Sequence, residues 1–384
     1  MNLALISTVF YRNSHTDVIT ARWFEDLSTD KAWGWNGPRT KIVSAYVAQF
    51  PDNDLARETF KQQHAPLYSS VQDALTLGGK TLAVDGVILI AEHGDYPYNR
   101  YGQKLYPRKE LFDEIARTFD ASGCSVPVFC DKHLSWDYDL AKLMLDGALS
   151  RNFDLLASSS LPFCHFEPTL ITEGAQLEEL VAVFPNVHGQ PDHYGYHALE
   201  IIQQHIERRA GHEKGISSVT AWLGADVWRA QDEGLWDKEM LEAALDAANP
   251  DAEGDYRDES KREFPTHAFK LEYRDGLNVT LVGITPLEDF AFALRHKGRV
   301  EAETSLCVSG KEPERYPHFA TLSRVIENFM LDGTRPFPPE RSLLTAGALQ
   351  AMLQALALPV TTFPTPHLAI SYDHAEPGVG LDYW

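Results

Sequence analysis

Five short, largely apolar runs, Leu3–Val9, Ile42–Ala48, Val84–Ala91, Val126–Cys130 and Leu155–Ser158, are each followed by polar turns and helical periodicity. The helical patterns cover Asp17–Leu27, Asp54–His64, Val71–Leu77, Arg108–Ser122 and Trp136–Ser150. A strand that is apolar on both faces must be covered on both faces. Strands alternating with helices achieve this as a parallel sheet between two helical layers. This pattern predicts a Rossmann-like α/β domain over residues 1–160. In such sheets ligands bind beyond the carboxyl ends of the strands.

The rhythm changes after about residue 165. Leu177–Phe184, Ile216–Leu223, Ala268–Tyr273, Asn278–Gly283, Phe290–Lys297 and Val300–Ser309 read as strands, several joined by turns such as Asp275-Gly276. Consecutive strands predict a large, mostly antiparallel sheet, so residues 161–384 form a second α/β domain. Helices are expected at 194–210, 237–248, 318–332 and 340–356. The acidic stretch 249–263 reads as a loop, and the tail beyond Pro359 is Pro-rich and ends in Tyr383-Trp384.

The chemistry gathers at the ends of the first strands. "VPVFCDKHLSWDYDLAKLML" (126–145) runs from a buried strand into Asp131-Lys132-His133 and then a helix. "AEHGDYPYNRYG" (91–102) places Glu92, His93 and Asp95 where the third strand ends. His15 and Asp17 follow the first strand. His193 and His197, four apart with Tyr194 between them, share a helix face. Asp131 reads as a helix cap, and Ser14 or Asp17 as the cap of the first helix. Carboxylates with neutral imidazoles suit a divalent metal, for which His93, His133 and His193 are the candidate ligands.

Bulk properties narrow the partners. The net charge of −21 opposes nucleic acid and anionic membrane, and the expected partner is a small molecule. Cys124, Cys130, Cys164 and Cys307 lack C-x-x-C spacing and read as reduced thiols. The start "MNLALISTVF" reads as a first strand rather than a signal peptide, and no run approaches a membrane span, so the expected location is the cytoplasm.

The stretch "PVFCDKHLSWDYDLAKLMLDGALSRNFDLLASSS" resembles the P-V-x-C-E-K-P-L-A strand end and following helix of the Gfo/Idh/MocA oxidoreductases. "VDGVILIAEHGDYP", "HYGYHALEII" and "NFMLDGTRPFPPERSLLTAGALQAML" are similar to further segments of that family, in the same order. The resemblance implies a nicotinamide cofactor, NAD(P), and a sugar, polyol or related polyhydroxylated substrate. It makes Lys132 and His197 the acid–base pair, while Glu92, Asp95, His15 and Asp17, by their place at the strand ends, and Tyr194, between the two histidines, read as substrate contacts. It also implies a homo-oligomer joined through the open face of the second sheet.

Two departures cut against the cofactor. The family's glycine fingerprint lets the backbone approach a pyrophosphate. Here "STVFYRNSHTDVI" has no glycine, and Gln49 stands where an acid would hold the adenosine ribose. His133 replaces the motif's proline, and His193 its aspartate. Three classes follow. The first is an oxidoreductase-like enzyme, and the second a metal-dependent lyase, isomerase or hydrolase that works without NAD(P). The third is a binding protein that kept the fold.

Overall fold

The computed structural model describes residues 1–25, 37–249, 255–309, 316–358 and 362–374. The end of the expected first helix, part of the acidic loop at 250–254 and the terminal Tyr383-Trp384 lie outside the described residues.

Six parallel strands form the first sheet: β1 (Asn2–Ser7), β2 (Lys41–Val47), β3 (Leu67–Tyr68), β4 (Gly86–Ile90), β5 (Val128–Asp131) and β6 (Leu155–Ser158). Their order is β3-β2-β1-β4-β5-β6, so the direction of winding reverses between β1 and β4. Both faces are covered because both are apolar. Ile6, Leu89, Cys130 and Ala157 meet α3 (Val71–Thr76), α4 (Arg108–Ser122) and α5 (Tyr138–Ser150). Leu5, Ile88, Ile90 and Phe129 meet α1 (His15–Phe24), α2 (Ala56–Gln62) and α9 (Pro317–Asp332). The last of these is late in the chain yet sits tightly on the first sheet. A β-carbon at Gly86 would lie 2.6 Å from Met330 Sδ of α9.

The second sheet has eight strands in the order β14-β9-β10-β11-β8-β12-β13-β7, antiparallel except for β11 beside β8. They are β7 (His165–Glu167), β8 (Leu177–Pro185), β9 (Ile216–Leu223), β10 (His267–Tyr273), β11 (Asn278–Ile284), β12 (Phe290–His296), β13 (Ala302–Val308) and β14 (Phe363–Pro364). Alternation along β8 shows its two faces. Leu180, Ala182 and Phe184 pack on α6 (Pro191–Ile206) and α10 (Pro339–Leu356), while Val181 and Val183 face the other way.

That other face corrects an expectation. The resemblance left it open for a partner subunit. Instead α7 (Ala225–Asp232) and α8 (Lys238–Ala248) lie over it. Val227, Trp228, Met240, Leu241 and Ala244 bury against Val181, Val183, Trp222, Ala268 and Ala293. Further along, the strands become polar, with Arg295 paired to Glu179 and Asp237 and the Lys270 ammonium donating to the Leu235 carbonyl. The oligomer expected from an open apolar sheet loses that basis.

Candidate functional site

A cavity of about 580 Å³ opens beyond the carboxyl ends of β1, β4 and β5 and is closed by residues of α6, β12 and α9. His15, Glu92, His93, Lys132, His193, Tyr194 and His197 all line it.

Lys132 follows the last residue of β5 with φ +62, and its amide donates to Ser158 O at 2.9 Å. A left-handed backbone is uncommon for a side-chain-bearing residue. Here it turns the chain off the strand, and the ammonium meets Glu92 Oε1 at 2.9 Å. Glu92 is buried, and its second oxygen accepts from the fully buried Arg108 guanidinium at the start of α4. Thr8 Oγ1 donates to the Glu92 carbonyl at 2.7 Å, which ties the β1 and β4 ends together. Burial pushes the Glu92 carboxyl up, but Lys132 and Arg108 outweigh it and hold the group well below the ordinary carboxylate range.

A second pair stands beside the first. His15 Nδ1 lies 2.6 Å from Asp131 Oδ2, so Asp131 orients an imidazole rather than capping a helix. The cap of α5 is Asp137, which accepts from the Leu140 amide. Across the cavity, His197 Nδ1 is 2.6 Å from Ser159 Oγ, and His318 Nδ1 is 2.9 Å from Ser160 Oγ.

The His93, His133, His193, His197 and His318 imidazoles are neutral at neutral pH. Burial lowers His93 to about 3, helped by His15, and His193 to about 4, helped by Lys132. Burial, with Arg22, takes His318 to about 3. His197 and His133 are also held well below the ordinary range, by burial together with Lys132 and with Arg108 respectively. The unfolded imidazole titrates near ~6.5, so the unfolded chain binds more protons as pH falls. Stability is full above that pH and is lost on acidification toward ~4, by up to roughly 1.4 kcal/mol per pH unit for each imidazole. Asp192, raised by burial to about 6, and Glu179 and Glu207, also raised by burial, run the other way, but they oppose a larger set of imidazoles that includes His205 and His267. Denaturant midpoints measured from pH ~7 down to ~5 should fall steadily; a flat profile would contradict the buried neutral cluster.

Three expected site residues lie elsewhere. His133 does not line the cavity; it is buried with its ring 5.1 Å from that of Tyr196. Asp95 is exposed, and its backbone holds Gln49. Asp17 is buried in the first turn of α1, where its carboxylate accepts from the Asn13 amide at 2.9 Å. Among the described residues no group of three or more His, Cys, Asp or Glu is placed to hold a metal ion. His93 and His193 line the cavity but His133 does not, so the three are not brought together, and Glu92 is already held by two cations. The Lys132 and Arg108 charges further oppose a cation there, so the ligand set His93, His133 and His193 is withdrawn. Arg108, His318, Lys104 and Tyr106 belong to the site but were not singled out from the sequence. They follow no strand, and no motif marks them.

No family model and no curated protein matches the sequence. Solved structures do match in fold. GenD2 from gentamicin A biosynthesis, solved in complex with NAD, superposes with a TM-score of 0.61 at 11% identity, over 95% of this chain and 96% of that one. A probable dehydrogenase from Thermotoga maritima gives 0.59 at 12% identity, over 96% and 100%. The scyllo-inositol dehydrogenase of Lactobacillus casei gives 0.54 at 11%, over 92% and 95%. The chain has the Gfo/Idh/MocA fold.

The dinucleotide that accompanies the Gfo/Idh/MocA fold needs its diphosphate at the N-terminus of α1. In this chain that place is filled from within. Ser14 Oγ accepts the Tyr11 and Asp17 amides at 3.2 and 3.3 Å, and the Asp17 carboxylate accepts the Asn13 amide. A carboxylate thus occupies the ground of an anionic diphosphate. Phe10 is buried against Phe24 and Phe60. At the end of β2, both amide atoms of Gln49 are tied to the Asp95 backbone at 3.1 and 2.9 Å. These residues do not fit a dinucleotide in its ordinary pose.

Proposed function

We propose that the chain is an oxidoreductase-like enzyme acting on a sugar, polyol or related polyhydroxylated compound held in the interdomain cavity. Lys132 gives or takes the proton of the reacting hydroxyl, while the hydride on the same carbon would pass to an external acceptor of the nicotinamide class, supplied with the substrate. One observation carries this reading: the Lys132 ammonium is brought by a left-handed residue to the floor of a cavity and held there by a buried carboxylate. The Lys132–Glu92–Arg108 cluster carries two cations on one carboxylate, so positive charge is in excess where an alkoxide would develop. His197, a neutral imidazole fixed by Ser159, positions the hydroxyl by a hydrogen bond. His15, His93, His193 and Tyr194 supply further polar contacts along the walls. The inositol dehydrogenase among the similar structures supports a polyol substrate and redox chemistry.

The self-capped start of α1 favours a second reading. There Lys132 moves a proton on the carbon beside a carbonyl, as an isomerase or lyase does, with no external dinucleotide. Incubating the protein with inositols, aldoses and their keto counterparts in deuterated water, with and without NAD(P), separates the two. Ketone formation that needs added nucleotide supports the first reading. Deuterium uptake beside a carbonyl without nucleotide supports the second. Neither reaction with any compound would leave a binding protein. We expect NAD(H) and NADP(H), titrated by calorimetry, to bind no more tightly than roughly the millimolar range. Low-micromolar binding would overturn the reading of the α1 terminus.

A further inference from the structure

The cavity rim holds one cation that the chemistry above does not use. Lys104 lines the cavity on the segment between Glu92 and α4. That segment is held firmly. The Asn99 carboxamide oxygen accepts the Tyr101 and Gln103 amides, and Gln103 Nε2 donates to the Trp136 carbonyl at 2.7 Å. The Lys104 amide itself donates to Asp192 Oδ2 at 3.0 Å, which spends that carboxylate oxygen on backbone. The Lys104 ammonium stands 5.3 Å from the Tyr98 ring centre and 5.7 Å from that of Tyr106, and no carboxylate among the described residues pairs with it.

An exposed lysine on an ordinary surface finds water or a mobile acid. This one is positioned at both ends of its backbone, beside two rings, over a concave site in a chain whose net charge is −21. The overall field repels anions, so an anionic ligand needs a dedicated local cation. Deeper in the cavity, Glu92 cannot neutralise both Lys132 and Arg108, and the surrounding imidazoles add no negative charge. The cavity therefore presents a cation at its floor, Lys132, and another at its rim, Lys104, with the Glu288 carboxylate also in its lining.

We infer that the substrate is an anionic polyhydroxylated compound whose carboxylate or phosphate is bound by Lys104 while its reacting hydroxyl meets Lys132. This rests on the polyol reading above and narrows it. Tyr98 and Tyr106 border the anion's seat and offer apolar faces to the carbon chain.

The test is calorimetric titration of the purified protein with sorbitol, D-gluconate, sorbitol 6-phosphate, D-glucose and D-glucuronate, repeated with Lys104→Gln and Lys104→Arg. A charge-assisted hydrogen bond predicts that at least one anion binds about tenfold or more tighter than its neutral counterpart. That advantage should vanish in K104Q and persist in K104R. Whether gluconate and glucuronate or the phosphate shows the larger advantage identifies the anionic group. Circular dichroism and a thermal melt show that each variant is folded. Neutral compounds that bind as tightly as the anions, or an advantage that survives in K104Q, would overturn the anion seat and leave the polyol reading standing. Binding of none of the five would overturn both.

Discussion

Glu92→Gln should destabilise the protein by about 3–5 kcal/mol, the usual effect of removing one partner of a buried ion pair. Arg108 is fully buried, and two of its nitrogens already make no hydrogen bond among the described residues. Without the carboxylate its charge has no counter-ion and no route to water. The measurement is denaturant unfolding, read as a lower midpoint at unchanged slope. Adding Arg108→Met to the variant should recover part of the loss, because the stranded charge is then gone. The wild-type pair also has a pH signature. The Glu92 carboxyl titrates well below its ordinary range, so its contribution is present above the unfolded carboxylate pKa and disappears as pH falls toward the lower folded value. A loss under about 1 kcal/mol in E92Q would mean that the pair behaves as a solvent-screened surface bridge, contrary to its burial.

The second large effect is on rate. Lys132→Met should slow the reaction identified by the isotope experiment by about 10²–10⁴, the usual effect of removing a general acid or base. Its stability should change little, since Glu92 keeps Arg108. Lys132→Arg is the sharper variant. It preserves the positive charge beside Glu92, but a guanidinium does not give up its proton near neutral pH. If Lys132 transfers a proton, arginine is as slow as methionine. If the residue only stabilises charge, arginine restores much of the rate. Retention of activity within about tenfold in both variants would remove Lys132 from the chemistry.

The parts of the fold legible in the sequence were those set by local pattern. Ile216–Leu223 and Leu155–Ser158 announce themselves by apolar content and flanking turns, and α4 by its periodicity and the glycine at its end. Glu92, His93 and Lys132 could be placed at one crevice because parallel strands deliver their ends to one edge. What local pattern could not show was pairing. Asp131 lies 116 positions from His15, and nothing in either neighbourhood distinguishes an imidazole partner from a helix cap. A count of histidines near strand ends likewise does not say which of them share a cavity: His133 packs on Tyr196, outside the cavity that His93 and His193 line. Arg108 was hidden for the same reason: a basic residue opening a helix reads as surface until its carboxylate is known to be buried sixteen positions earlier.

The helices laid over the outer face of the second sheet carry a different lesson. A partner subunit that shields an apolar face leaves when the protein is dilute. Here α7 and α8 are tethered to the strands they shield, β9 leading directly into α7. Their effective concentration is set by the linking chain and does not change on dilution. Trp222, Val181 and Val183 therefore stay dry in a solitary molecule, and shielding this face needs no assembly.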